Sequence, residues 1–187
     1  MTFKDRFRKF GKRMRADSRK GSAAMEFAFV APIFFTLLLG TFEGAIMFFA
    51  QSALQNAVTT VGRTLRTGQA QCFTKNGNTC VPMTANDFRN QVCNDAGMLL
   101  PNCAASLVIT SSVFNGGFGG TANNPVGGAN TGFAGAACDV MLVRAVYPWA
   151  VVTPVLSWFL VSPDNPGHHT MISSLAFRNE PFGGAPC

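Results

Sequence analysis

The sequence predicts an α+β protein in which a long N-terminal membrane-spanning helix carries a small disulfide-bonded head with an antiparallel sheet. Three features support this prediction: an apolar run after a basic N-terminus, six cysteines that all lie beyond residue 71, and β-branched runs in the second half. With 187 residues the chain has room for one modest domain and its appendages. We expect a basic leader at 1–21, a long helix at 22–68 and the head at 69–187.

The positive charge is confined to the first 20 residues, which carry nine Lys and Arg against two acidic residues. The rest of the chain has a net charge of −1. A basic tail can bind nucleic acid or a membrane surface. Because this tail directly precedes an apolar run, it fits the excess of Lys and Arg on the cytoplasmic side of membrane proteins. We therefore expect a cytoplasmic N-terminus and no nucleic-acid partner.

The apolar run is long enough to cross a bilayer. From Phe27 to Ala50 it contains 24 residues, or about 36 Å of helix, against a hydrocarbon core of about 30 Å. It spans the bilayer if Glu43, its one charged residue, sits near the outer interface. Pro32 lies well inside the run, where it removes one backbone hydrogen bond and is expected to kink the helix.

Beyond Ala50 the helix is predicted to continue with one apolar stripe. The stripe consists of Leu54, Val58, Val61 and Leu65, which recur at helical spacing. Gly68 is the predicted stop signal, since glycine commonly ends helices.

The cysteines indicate an oxidising compartment. They are Cys72, Cys80, Cys93, Cys103, Cys138 and Cys187. An even set beyond an apolar segment favours disulfides over the alternative of six free buried thiols. No Cys-x-x-Cys spacing is present, so we expect no metal site. Closeness in the sequence suggests the pairs Cys72–Cys80, Cys93–Cys103 and Cys138–Cys187.

The head is predicted to contain one helix and three strands. Asn76-Gly77 is a turn signal, and a helix is expected from a capping box at Thr84 and Asp87 to a stop at Gly97. Its inward residues would be Phe88, Val92 and Ala96. The runs 106–113, 139–147 and 170–177 are rich in β-branched or apolar residues and predict strands. The Gly- and Asn-rich segment 115–137 has no periodicity and is expected to be a long exposed loop.

Residues 148–163 are apolar but too short for a second span, and Pro154 lies in their middle. We expect a bent segment that packs on the sheet, or that lies against the membrane or a neighbouring subunit. His168 and His169 follow a turn and are expected to be exposed loop residues. No Ser/His/Asp arrangement or phosphate-binding glycine pattern is present. The sequence therefore predicts neither an enzyme nor a cofactor site.

The small residues that adjoin the apolar run lie on its N-terminal side. A cleaved secretory signal has its small-residue cut site after the hydrophobic region. Here Gly21 closes the basic leader, and Glu26 is the fifth residue counted from Ser22. This order resembles a class III, or prepilin-type, signal. The segment Gly21-Ser-Ala-Ala-Met-Glu-Phe-Ala-Phe-Val-Ala-Pro32 resembles TadE-like pseudopilins of the tight-adherence (Tad/Flp, type IVc) pilus system.

The far end of the chain shows a similar resemblance. Tyr147-Pro-Trp149 and Ser174-Leu-Ala-Phe-Arg-Asn-Glu-Pro-Phe182 resemble the terminal strands of the same family. Phe27 stands where major pilins of this system usually have Tyr, which favours a minor component over the bulk pilin. The resemblance thus covers the first helix and the last strands, and the middle of the chain only poorly.

The resemblance implies two stages, processing in the inner membrane and then assembly into a pilus. A prepilin peptidase would cut between Gly21 and Ser22 on the cytoplasmic side of the bacterial inner membrane, and the helix would remain with the head in the periplasm. Glu26 and Phe27 would then serve assembly. The implied partners are that peptidase, the major Flp-type pilin, other minor pseudopilins, the inner-membrane assembly platform and the lipid bilayer. After assembly the chain could lie in the extracellular pilus. The alternative is an uncleaved single-span anchor that displays a periplasmic binding module.

Physical chemistry agrees with a role for Glu26. A carboxylate in the first turn of a membrane helix costs several kcal/mol unless it is compensated. Cleavage would create an α-amino group on Ser22, and Glu26 of one subunit can pair with that amine on a neighbour. The alternative is a carboxylate that merely lies at the lipid interface. Glu43 lies about 25 Å further along the helix, near the other interface, where water can solvate it.

Overall fold

The computed structural model describes residues 3–114, 122–126, 133–163, 165–183 and 187. The chain consists of two compact units, Met1–Glu43 and Gly44–Cys187, here called the helical unit and the globular unit. Helix α1 (Phe3–Arg66) forms the first unit and enters the second. It begins well before Ser22, where the sequence predicted its start. The leader is rich in Arg and Lys, which favour helices, and Phe3, Phe7 and Phe10 recur in it at helical spacing.

The stripe on α1 forms one side of the core of the globular unit, as predicted. Leu54, Val58, Val61 and Leu65 are all buried. They pack in one cluster with apolar residues from the second helix and the sheet, including Phe88, Val92, Met141, Val143 and Phe177. Burial of this stripe therefore attaches the C-terminal end of α1, from about residue 54, to the head.

Two glutamines on α1 bind the last strand. The Gln51 side-chain amide donates to the Ile172 carbonyl at 3.0 Å, and the Ser173 hydroxyl donates to Gln55 at 2.7 Å. Further along, Arg66 pairs with Glu180 at 3.2 Å. These contacts advance together along both elements, so α1 runs alongside the last strand in the same direction.

The second helix, α2 (Ala85–Ala96), begins as predicted. The Thr84 hydroxyl accepts from the Asp87 backbone N–H at 3.2 Å, and the Asp87 carboxylate accepts from the Thr84 backbone N–H at 2.9 Å. This capping box satisfies two backbone donors that the helix itself cannot. Gly97 caps the other end with φ of 61°, as expected.

The main sheet has four antiparallel strands in the order β4-β3-β5-β6. They are β3 (Val108–Phe114), β4 (Ala122–Val126), β5 (Val140–Ala150) and β6 (His168–Arg178). In the register, Val143 faces Ser111 on one side and Leu175 on the other. The three predicted strands are present. A separate two-stranded ribbon, β1 (Thr74–Asn76) with β2 (Thr79–Val81), surrounds the predicted turn at Asn76-Gly77.

The prediction that 115–137 is all exposed loop is wrong. Strand β4 lies inside that segment and pairs with β3. Phe133 and Ala134 are buried, and the Phe133 ring meets Phe88 edge-on at 5.5 Å between centroids. Pro125 is tolerated because β4 is an edge strand and its register with β3 is irregular between Asn123 and Val126. The remainder of the predicted loop, at 115–121 and 127–132, lies outside the described residues.

Two short helices complete the head, α3 (Cys103–Ser106) and α4 (Pro154–Leu160). Helix α4 gives residues 148–163 the predicted bend. The expectation that His168 and His169 are loop residues is wrong, because both lie at the start of β6. The His169 ring is half-buried, and its Nδ1 lies 2.8 Å from the Leu160 carbonyl.

All six cysteines form disulfides, which confirms the predicted bridges in the head. The pairs are Cys72–Cys80, Cys93–Cys103 and Cys138–Cys187, the same pairs that closeness in the sequence suggests. The first closes the β1–β2 ribbon, the second joins α2 to α3, and the third ties the C-terminal residue to the start of β5.

Gly68 ends α1 with φ of 77°, and a side chain added there would lie 2.6 Å from Cγ and 3.0 Å from Cβ of Phe182. Gly77 also has a positive φ, 63°, but has open space around it. We expect Gly77→Ala to lower the free energy of unfolding by about 1 kcal/mol from backbone strain alone. Gly68→Ala should cost about 2–3 kcal/mol, since it adds overlap with Phe182. Denaturant unfolding of the full chain in detergent measures both, and equal losses would contradict the proposed overlap.

Candidate processing and assembly site

Gly21 lies inside α1, in a continuous helical backbone. It is exposed, and a Cβ added there would meet no described atom within 4 Å apart from its own helix backbone. Glycine in a helix interior is destabilising by roughly 1 kcal/mol relative to alanine. The fold therefore gains nothing from a glycine at this position.

Ser22 and Glu26 lie one above the other on the same face of α1. The Ser22 hydroxyl donates to Glu26 Oε1 at 3.4 Å, a long contact on an exposed surface. Among the side chains that the structure describes, no Lys or Arg lies within salt-bridge distance of Glu26. The carboxylate thus lies one helical turn from the residue that cleavage after Gly21 would make the first.

The surface that follows Glu26 is apolar and uncovered. Phe27 is 67% exposed, and most large side chains up to Phe49 are exposed as well. In the described residues, Gly21–Arg66 is the single stretch of helix long and apolar enough to cross a membrane, and only 6% of its most apolar window is buried. A helix buried within a soluble core would have this surface covered by protein.

Pro32 lies inside α1, as its position in the sequence requires. Proline has no N–H, so the Ala28 carbonyl receives no hydrogen bond from position 32. One turn later the Thr36 hydroxyl donates to the Pro32 carbonyl at 2.7 Å. The kink at Pro32 remains a prediction.

The described part of the chain holds no cluster of three or more His, Cys, Asp or Glu that could bind a metal ion. The groups that the site does contain are a glycine in the helix backbone, a carboxylate and an apolar helix surface. Their order along α1 is a small residue, an acidic residue five positions on, an apolar run and then a buried stripe.

Residues 21–63 match the family model of TadE-like proteins. The matched segment starts at Gly21 and ends within the last turn of α1, so it includes Glu26, the apolar run and most of the stripe. This match confirms the resemblance found in the N-terminal residues. No curated protein and no solved structure matches the chain.

An apolar N-terminal helix of this length is compatible with a single-span membrane protein. The match leaves out the head, so the resemblance of the C-terminal strands to the family stays an expectation.

The residues that carry this second resemblance join β5 and the end of β6 to their surroundings. The Tyr147 hydroxyl donates to the Pro101 carbonyl, and burial raises the pKa of Tyr147. The buried Asn179 amide donates to the carbonyls of Ala134 at 3.2 Å and Ala136 at 2.8 Å. No role for Asn179 was predicted from the sequence. The sequence shows only that Asn179 is a polar residue directly after an apolar strand. That pattern does not identify hydrogen-bond partners more than forty residues away.

Proposed function

We propose that this chain is a minor pseudopilin of a Tad/Flp-type pilus. In this proposal it is inserted in the inner membrane, cut after Gly21 by a prepilin peptidase, and then takes part in assembly of an adhesive pilus. The observation that carries the proposal is the placement of Gly21, Ser22 and Glu26 at the start of the TadE-like segment.

Residues 1–21 form the cytoplasmic leader, 22–68 the retained helix, and 69–187 the periplasmic head. The charge of the leader supports this orientation, because Lys and Arg flanking a span favour the cytoplasmic side. The three disulfides support a periplasmic head, because such bonds form in oxidising compartments.

The role of Glu26 is to form an ion pair with the Ser22 α-amino group of a neighbouring subunit. The new α-amino group on Ser22 lies four residues from Glu26, a rise of about 6 Å along the helix. A neighbouring helix shifted by about that distance brings its own amine opposite the carboxylate. The pair neutralises two charges that would each be costly in the bilayer. The major pilin, other minor pseudopilins and the assembly platform are the partners that this pairing would serve.

Removal of the chain from a host with an intact Tad system tests the proposal. We expect pili to be absent or strongly reduced on the cell surface, and to return when the wild-type chain is supplied. Electron microscopy and quantification of sheared pili measure this. Normal piliation without the chain would refute an assembly role.

Gly21→Leu separates recognition by the peptidase from folding. Leucine is a good helix former and the space around Gly21 is open, so the helix and its insertion should be unchanged. We expect the variant to keep its leader when it is coexpressed with a prepilin peptidase, while the wild-type chain loses it. Intact mass of the purified chain distinguishes the two. An uncleaved anchor, the alternative function, would give the full mass for both chains.

A further inference from the structure

Helix α4 places two large aromatic side chains in solvent. Trp158 is 89% exposed and Phe159 is 82% exposed. Residues 148–163 contain no charged side chain. Adjacent aromatic residues at this exposure on an uncharged segment indicate a surface that something else covers.

The position of α4 indicates what covers this surface. The connection between β5 and β6 is anchored at the first residues of β6: the Ser162 hydroxyl accepts from the Thr170 N–H at 2.9 Å, and the Leu160 carbonyl faces the His169 ring. Helix α4 is thereby fixed at the end of the sheet where β6 begins.

The first residues of α1 that belong to the globular unit lie at the same end. A groove of about 420 Å³ is lined by Met47 and Phe48 from α1 and by His169 and Ile172 from β6. Gln51 bonds the Ile172 carbonyl. The start of β6, and α4 with it, therefore lies level with residues 47–51 of α1.

Residues 47–51 are where the apolar run ends. Phe48 and Phe49 are exposed, and Ala50 is the first residue of α1 that belongs to the buried core of the globular unit. If 27–50 spans the bilayer, this level is the outer membrane–water interface. Trp is enriched at this depth because its ring is apolar and its N–H is polar.

We propose that α4 is an interfacial anchor, with Trp158 and Phe159 inserted into the outer leaflet of the membrane that α1 spans. The anchor holds the head against the bilayer surface before assembly, and extraction of α1 into a pilus must also remove it from the lipid. The inference rests on the proposed membrane span. A lipid surface is favoured over a second copy because α4 is held at the level where the apolar run of α1 ends.

Fluorescence quenching by brominated lipids tests this proposal on the full chain in phospholipid vesicles. The chain has two tryptophans, Trp149 and Trp158. Trp149→Phe isolates Trp158. It is a mild change, because the buried Trp149 Nε1 has no hydrogen-bond partner among the described residues.

The matched control carries Trp149→Phe, Trp158→Phe and Lys75→Trp. Lys75 is an exposed residue of β1, beyond the C-terminal end of α1, on the order of 30 Å from the level of residues 47–51. Flotation of the vesicles first establishes that each chain is inserted. A chain that fails to float contradicts the membrane span itself, independently of α4.

For inserted chains, we expect lipids brominated near the head-group end of their acyl chains to remove roughly half or more of the Trp158 emission. Lipids brominated near the chain terminus should quench it less, and the tryptophan at position 75 should be unaffected. Trp158 emission that is quenched by acrylamide in water but not by brominated lipid overturns the proposal. Emission protected from both quenchers also overturns it, and assigns the patch to a protein contact.

Discussion

Glu26→Gln is expected to give a chain that inserts in the membrane and is processed, but that is lost from pili. The substitution keeps the size of the side chain and removes its charge. The α-amino group of a neighbouring Ser22 then has no counter-charge in the bilayer, at a cost of several kcal/mol. We therefore expect the amount of chain recovered in sheared pili to fall by more than about tenfold relative to the amount in the membrane.

Glu43→Gln is the matched control for that experiment, because it makes the same chemical change further along the same helix. Glu43 lies near the outer interface in the proposed topology, where loss of its charge should leave recovery in pili close to that of the wild type. Immunoblots of sheared and membrane fractions measure both variants. Recovery of Glu26→Gln in pili at the wild-type level would contradict the pairing.

The second large effect concerns the disulfide that closes the longest loop. Cys138 and Cys187 are 49 residues apart, against 8 for Cys72–Cys80. In the chain-entropy account, removing the bridge that closes the long loop costs about 4 kcal/mol, and removing the bridge that closes the short loop costs about 2.5 kcal/mol. Cys138→Ser/Cys187→Ser should therefore lower the free energy of unfolding by more than Cys72→Ser/Cys80→Ser does.

Denaturant unfolding of the full chain in detergent, followed by tryptophan fluorescence, compares the two double variants. A larger loss for the short loop would contradict the entropic ranking. Mass analysis after alkylation checks the bridges directly: the oxidised wild-type chain should take up no label, whereas labelled cysteines would contradict the disulfide assignment.

Features that depend on neighbouring residues could be predicted from the sequence. The stripe Leu54, Val58, Val61 and Leu65 follows from a helical period, and the capping box follows from Thr84 and Asp87 at the right spacing. The Gly21–Glu26 order is likewise a linear pattern, which the TadE-like match covers. Each of these signals lies within a few turns of one helix.

Features that depend on distant partners could not be predicted. Strand β4 lies in a segment without alternation, and its conformation is set by pairing with β3. Phe133 is one aromatic residue among glycines, and its burial depends on Phe88, which is 45 positions earlier. The Arg66–Glu180 pair joins residues 114 positions apart. In the leader, Phe3, Phe7 and Phe10 at helical spacing indicate only a short amphipathic helix, and nothing in the sequence indicates that it is continuous with the apolar run.

The mature N-terminus tests the central claim most directly. The chain is purified from the membranes and pili of a host with an intact Tad system, and its first residue is determined by N-terminal sequencing. Our account predicts Ser22 as the first residue, with Gly21 and the leader removed. A chain that begins at Met1 in both fractions would contradict processing, and with it the assembly role of Glu26.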